Sequence, residues 1–336
     1  MHFLYFFSDT ALDRLSKELV RTKRSCYAPG TRNNFKCAWN SFFAFCIFFQ
    51  QSSLPASSRT LALFAQLLSR SFDTVAAIKN YISHVKTLHA LLDLDVSQFD
   101  SMELSMTLRG LARVKPHLPK RAAPMTLDIL LKISTVLKLD DPIHATFWSL
   151  FLTAFFSMSR KSNLVYTYSK DEPPHFICRK DIHFSQEAVT LYFTWSKTNQ
   201  FGARIHKVPL IAIPNSVLCP VQALFNMLSL VPAQPHDALF SVPGASKKLI
   251  PVSYANFQKF LKNIVSLVGI DSTNFSTHSF RRGGATHAFD SNVPSELIKS
   301  HGDWSSDAYL VYLEFSYKQK LSVSSAMASN ISNLKN

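Results

Sequence analysis

The segment ARVKPHLPKRAAPMT, residues 112–126, constrains the chain most, because three prolines and four basic residues in fifteen positions suit neither a helix interior nor a buried strand. Such a break between two long patterned stretches predicts two bodies. They are residues 1–111 and 126–336, joined by an exposed basic linker over 112–125. With 336 residues, 47% of them hydrophobic, the chain can fill two cores.

Upstream of the break the pattern is helical. TRNNFKCAWNSFFAFC opens after Pro29-Gly30, and TVAAIKNYISHVKTLHALL carries Ile78, Ile82, Val85 and Leu88 at helical spacing. The first body is therefore expected to be all-α. Downstream, Thr126 can cap LDILLKISTVL, and an apolar helix is expected over 145–158. AVTLYFTW then alternates, with Val189, Leu191, Phe193 and Trp195 on one face, and HKVPLIAI follows a turn at NQFGA. That predicts a hairpin inside a helical domain. Further helices are expected at CPVQALFNMLSLV, at SYANFQKFLKNIVSLVG behind a serine cap, and from near Thr277, Pro294 and Ser306. The fold class is mainly α with a small β-sheet or hairpin.

Lys and Arg number 36 against 22 acidic residues, a formal charge of +14 that points to a polyanionic partner, nucleic acid before membrane. The longest apolar runs, SFFAFCIFF at 41–49 and FWSLFLTAFFSM at 147–158, fall short of the ~20 residues that span a bilayer. MHFLYFF lacks the basic flank and cleavage site of a signal peptide, so a nuclear or cytosolic protein is expected. Cys26, Cys37, Cys46, Cys178 and Cys219 form no C-x-x-C pair and no zinc spacing, which predicts free buried thiols in a reducing compartment and no metal site.

Four stretches carry chemistry. In THSFRRGGATHAF, His278 and Arg281 share a helix face, and Thr277 is a candidate N-cap that places both near the positive helix end, a grip for an anion. Arg160, in SRKSNL, follows an apolar helix with no carboxylate within a turn after it. It is either a solvated helix-end cation or a phosphate ligand. Lys197, in TWSKTNQFGARIHKVP, sits where a strand meets its turn, as an edge-strand solubiliser or as an ammonium reaching for a ligand. In SHGDWSSDAYLVYLEF, Trp304 offers an indole donor and an apolar face. Tyr309 and Tyr312 lie one turn apart; an α-helix would set them about 60° from each other, one as core and one as functional residue.

In the chain order Arg160, Lys197, His278, Arg281, Trp304, Tyr312, with the boxes SKTNQFG, HSFRRGGAT and WSSDAYLVY, the sequence resembles the tyrosine recombinases, the phage-integrase-like DNA strand-transfer enzymes. Within them it is similar to eukaryotic mobile-element forms of the Crypton and DIRS-like kind. TRNNFKCAWNSFFAFC resembles the family's helical core-binding domain. The resemblance implies an N-terminal core-binding domain and a C-terminal catalytic domain acting on double-stranded DNA, without metal or nucleotide cofactor. Arg160 and Arg281 would hold the non-bridging oxygens of the scissile phosphate, and Lys197 would protonate the leaving 5′ oxygen. His278 would assist proton transfer, Trp304 would fill the place held by histidine or tryptophan, and Tyr312 would form a 3′-phosphotyrosine. The spacing from Trp304 selects Tyr312, with Tyr309 the alternative; many relatives carry a histidine nine residues before the nucleophile, and His301 before Leu310 does not fit that pattern.

The resemblance also implies a homotetrameric synapse, a nuclear location (cytoplasmic in a prokaryote), and a C-terminal segment that docks on a neighbouring protomer. Both arginines are expected to face DNA and to matter little for folding. A catalytically silent DNA-binding derivative is the alternative reading. A metal-dependent nuclease is disfavoured, since no acidic cluster stands at ligand spacing.

Overall fold

Ser57, Thr74, Ser101, Thr126 and Ser253 each accept a hydrogen bond from the backbone N–H three residues on, which satisfies a donor that the first helical turn leaves free. The computed structural model describes residues 9–117, 121–166, 176–245, 248–313 and 317–333. The chain divides into two units, Met1–Lys120 and Arg121–Asn336.

The first unit is helical: α1 (Asp9–Ser25), α2 (Pro29–Phe48), α3 (Ser58–Leu68), α4 (Val75–Leu91) and α5 (Met102–Val114). Proline at the head of α2 costs no hydrogen bond there. The stripe Ile78, Ile82, Val85 and Leu88 is buried, and α2 meets it with Phe42 and Phe45, while α3 adds Leu61 and Phe64.

In the second unit come α6 (Leu127–Val136), α7 (Pro142–Phe156), α8 (Lys161–Leu164), β1 (Ile182–Phe184), β2 (Ala188–Phe193), β3 (His206–Ile211) and α9 (Pro220–Leu230). They are followed by β4 (Ser241–Pro243), β5 (Leu249–Pro251), α10 (Tyr254–Leu267), α11 (His278–Asp290), α12 (Ser295–His301), a 3-10 helix over Asp307–Tyr312, and α13 (Tyr317–Asn333). α7 is buried on every side from Ala145 to Phe155, so it forms the axis of the unit. Phe280 of α11 is fully buried between Phe151 of α7, 4.9 Å away, and Phe257 of α10, 5.7 Å away. This anchors the helix that carries His278 and Arg281.

The sheet is antiparallel in the order β1-β2-β3, with Val189 opposite Leu210 and Leu191 opposite Val208. Val189, Leu191 and Phe193 all face the core, and Pro209 is accommodated because β3 is an edge strand. The expected hairpin thus gains a third strand, β1, and β4 pairs with β5 in a separate ribbon. Among the described residues no helix is long and apolar enough to cross a membrane.

Four expectations need correction. Only Cys46 and Cys219 are buried thiols, whereas Cys26 and Cys37 are exposed. α7 ends at Phe156 rather than 158. α5 continues to Val114, and Lys115 Nζ donates to the carbonyl of Ser69. At the far end of the expected linker, Ala123 N–H donates to Asn274 O at 2.7 Å, Met125 N–H donates to Ser279 O at 2.9 Å, and Met125 is fully buried. Residues 112–114 are therefore helix, and 123–125 are packed chain.

Gly283 and Gly284 explain why α11 lies so deep. A Cβ on Gly283 would come within 1.9 Å of Met125 O, and one on Gly284 within 2.1 Å of Phe155 O. Only two consecutive residues without side chains let α11 approach both backbones at once.

Candidate active site

α11 is capped by Ser276 rather than Thr277. Ser276 Oγ accepts from His278 N–H at 3.2 Å, while Thr277 has helical backbone angles and makes no side-chain cap. His278 and Arg281 nonetheless reach one site from this first turn. Nε2 of His278 lies 2.6 Å from the hydroxyl of Tyr312. Partial desolvation lowers the His278 pKa, and the cations Arg281, Arg160, Arg282 and Lys161 lower it further, which favours the neutral imidazole.

Arg281 is 1% exposed, so its guanidinium lies within the protein rather than on an outward face. One amino nitrogen, Nη1, donates to the carbonyl of Met158, and the guanidinium lies 3.6 Å from the ring centre of Trp304. The other, Nη2, is buried without a hydrogen-bond partner among the described residues. Burial pushes the Arg281 pKa down to about 9; Arg160 adds to the fall, and Tyr312 and Asp303 oppose it.

Arg160 stands at the head of α8, beyond the end of α7. The carboxylate that its neighbourhood in sequence lacks comes from Asp303, whose Oδ2 lies 3.8 Å from Nη1; the same nitrogen donates to the Asp303 carbonyl at 3.3 Å. Burial lowers the Arg160 pKa, against the pull of Asp303 and Tyr312.

Lys197 is exposed in a two-residue turn closed by paired backbone contacts between Ser196 and Asn199. It does not pack against the arginines, but both of its neighbours are tied to the site. Ser196 Oγ donates to Asp303 Oδ2 at 2.6 Å, Thr198 Oγ1 donates to the same oxygen, and Arg204 pairs with Oδ1. Burial works to raise the Asp303 pKa, but these hydroxyl bonds and the charges of Arg204 and His206 outweigh it and hold the carboxyl below its usual range.

Trp304 is nearly buried and fixes the tyrosines. Its ring centre lies 6.0 Å from that of Tyr309 and 6.1 Å from that of Tyr312. The segment is a 3-10 rather than an α-helix, so residues three apart eclipse and both tyrosines flank one indole. Tyr309 is 5% exposed and belongs to the core with Ile298 and Leu313. Tyr312 is half-buried, with its hydroxyl on His278, and Thr286 Oγ1 donates to its carbonyl at 2.8 Å. His301, at the end of α12, contacts Phe156 O through Nε2 at 2.9 Å and so ties the Asp303–Trp304 segment to α7.

The site therefore gathers Arg160, His278, Arg281, Trp304 and Tyr312, with the Lys197 turn attached to it through Asp303. Sequence reasoning missed Asp303, Ser196, Thr198 and Thr286. The only local signal was that Ser196 and Thr198 bracket Lys197 and that Asp303 precedes Trp304. Chemically, the cluster offers a hydroxyl nucleophile beside a neutral base, next to two guanidinium groups that repel each other until an anion enters.

No family model matches the chain. It is 23% identical over 291 residues to an integrase/recombinase XerD homolog of Selenomonas ruminantium, across 85% of this chain and 81% of that protein. Its fold is similar to that of a variant of the Tn1549 transposon integrase in complex with transposon right-end DNA, with a TM-score of 0.60 at 13% identity, covering 94% of this chain and 98% of the other. A lambda integrase dimer bound to a COC′ core site gives a TM-score of 0.56 at 13% identity, covering 91% and 96%. The fold is thus similar to that of these two integrases, and the sequence relative is an integrase/recombinase homolog.

Proposed function

We propose that the protein is a DNA strand transferase, a site-specific recombinase of eukaryotic mobile-element type, that cuts and rejoins duplex DNA through a 3′-phosphotyrosine. The observation that carries this reading is the 2.6 Å contact between Tyr312 Oη and a neutral His278 beside two desolvated guanidinium groups. Tyr312 Oη attacks phosphorus as its proton passes to His278 Nε2. The bond from phosphorus to the 5′ oxygen breaks, and Lys197 supplies the proton that the departing oxygen takes. Arg160 and Arg281 hold the non-bridging oxygens as charge grows on them. Because the phosphoester is exchanged rather than hydrolysed, the 5′ hydroxyl of a second strand can reverse the step and join new partners.

The formal charge of +14 fits a duplex partner, and nuclear DNA is the substrate proposed. Four copies form the synapse. In support, α13 exposes Leu321, Val323, Met327 and Ile331, and an apolar groove of about 570 Å³ runs between α7, β3, α11 and α12. A tail from one copy seated in the groove of the next makes a ring that closes by symmetry.

The decisive experiment is adduct trapping on nicked suicide duplexes drawn from a randomised pool. Wild-type protein should form a DNA adduct that survives denaturing electrophoresis and maps by peptide mass spectrometry to Tyr312. Tyr312→Phe should bind the same duplexes without an adduct, and Tyr309→Phe should keep it. Phosphotyrosine at residue 309 would refute the assignment; DNA binding with no adduct from any variant would identify a silent DNA-binding derivative.

A further inference from the structure

Asp303 is a buried carboxylate in an unusual place. Its backbone lies in the left-handed region, with φ of 56°, at the step from α12 into Trp304, where glycine or asparagine would serve the backbone as well or better. The side chain is 5% exposed and costly to hold there unless its partners are good. Those partners are specific. Ser196 and Thr198 both donate to Oδ2 and Arg204 pairs with Oδ1, while Arg160 contacts the Asp303 carbonyl and reaches Oδ2 at 3.8 Å.

Lys197 lies between Ser196 and Thr198 in a turn where Asn199 N–H donates to Ser196 O at 3.0 Å. Asn199 Nδ2 donates to Thr194 O at 3.2 Å and to Arg204 O at 2.6 Å, which folds the rest of the loop onto the same turn. Both residues flanking the lysine are therefore fastened to one carboxylate. That carboxylate adjoins Trp304 in the chain and touches Arg160. Lysine itself has a long flexible stem, and only the backbone beneath it can be fixed.

We propose that Asp303 is a positioning residue that locks the Lys197 turn to Arg160 and Trp304, so that the ammonium is presented to the 5′ leaving oxygen when DNA is bound. This rests on the reading of Lys197 as the proton donor. Asp303 touches neither DNA nor the reacting atoms; it acts through the turn. Loss of its charge frees the turn and misplaces the donor, which should slow cleavage about 100-fold.

The test compares full-length wild type, Asp303→Asn, Ser196→Ala/Thr198→Val and Lys197→Ala in single-turnover cleavage. The probe is one nicked duplex, selected from a random pool by Tyr312→Phe protein, made with either oxygen or sulfur at the 5′ bridging position. A thiolate leaves without a proton because its conjugate acid has a pKa near 8.5, so the sulfur substrate bypasses the donor. Asn tolerates the left-handed backbone as well as Asp does, and the double variant removes both hydroxyl tethers together with their contacts inside the turn, so both are compared with wild type at equal melting temperature.

The expected result is that Asp303→Asn and the double variant are slow on oxygen and restored to near the wild-type rate on sulfur, as Lys197→Ala is. Variants slow on both substrates would show that Asp303 acts through Arg160 or the fold, and wild-type rates on oxygen would show that the tether is idle; either result overturns the proposal. Lys197→Ala cleaving the oxygen substrate at the wild-type rate would instead remove the proton-donor reading, and the inference with it.

Discussion

Replacing Arg281 with methionine tests whether the most deeply buried charge in the site serves catalysis or the fold. A pKa pushed down to about 9 from the ordinary arginine value corresponds to about 5 kcal/mol held against the charged form. Methionine keeps most of the side-chain volume and removes that cost. Against the gain stand the hydrogen bond to Met158 O, about 1.5–3 kcal/mol for a charged donor, and the contact with Trp304, about 1–2 kcal/mol. The balance lies between about zero and 2.5 kcal/mol in favour of the variant. In a unit of this size that is a rise in Tm of up to about 10 °C.

The pH dependence has a definite sign. The folded state binds the Arg281 proton less tightly than the unfolded chain, so wild-type stability from this group rises as pH climbs above about 9, and the variant lacks that gain. Inorganic phosphate should raise the wild-type Tm and leave the variant unmoved. Adduct formation should fall by at least about 1,000-fold. Calorimetry in anion-poor buffer at pH 7.5, with and without phosphate, makes the comparison. A variant that melts more than about 5 °C below wild type, and loses adduct only in proportion to its unfolded fraction, would make Arg281 a structural residue and refute the argument.

Three further outcomes are expected. Because desolvation and nearby cations depress the His278 pKa, adduct formation should hold steady below the ordinary imidazole value of about 6.5 and fall only at lower pH; a single-turnover pH profile with its midpoint at or above that value would contradict this. The folded state also binds the His278 proton less tightly than the unfolded chain, so its contribution to stability declines as pH drops through the same window. Gly283→Ala and Gly284→Ala should each cost more than about 3 kcal/mol in denaturant melts, since a Cβ has nowhere to go, whereas Gly110→Ala in α5, with open space around it, should be neutral or stabilising by about 0.5–1 kcal/mol. Truncation after Lys320 should weaken multi-protomer complexes on native gels more than single-site binding, and equal loss of both would remove α13 from the assembly model.

What was legible in the sequence is what local forces decide. The Thr126 and Ser253 caps, the α4 stripe and the alternation in β2 depend on neighbours within four residues, so they read directly, whereas the cap expected at Thr277 is made by Ser276. β1, β4 and β5 are three residues long, too short for any period to register. The site residues were identifiable as residue types in an order, but not as a geometry. Asp303 meets Ser196 and Thr198 across more than a hundred positions, and the sequence around Arg160 hid the carboxylate that answers it. The depth of Arg281 was hidden for a related reason. The two glycines that let α11 sink were visible, but the Met125 and Phe155 backbones they admit were not.

That depth bears on how the site would distinguish a transition state from a bound diester. Asp303 spends its two oxygens on Ser196, Thr198 and Arg204, so it reaches Arg160 only at 3.8 Å and leaves Arg281 Nη2 unbonded. The charge of Arg160 lowers the Arg281 pKa as long as no anion lies between them. A phosphodiester brings one negative charge and relieves part of that repulsion. On the proposed mechanism, the five-coordinate arrangement formed as Tyr312 attacks would carry more charge on the same oxygens and relieve more of it. The interaction is therefore stronger in the transition state than in the ground state, which is the condition for a cation pair to accelerate a reaction rather than merely bind its substrate. A carboxylate free to neutralise both arginines would cancel that difference, and the tethering of Asp303 to the Lys197 turn keeps it from doing so.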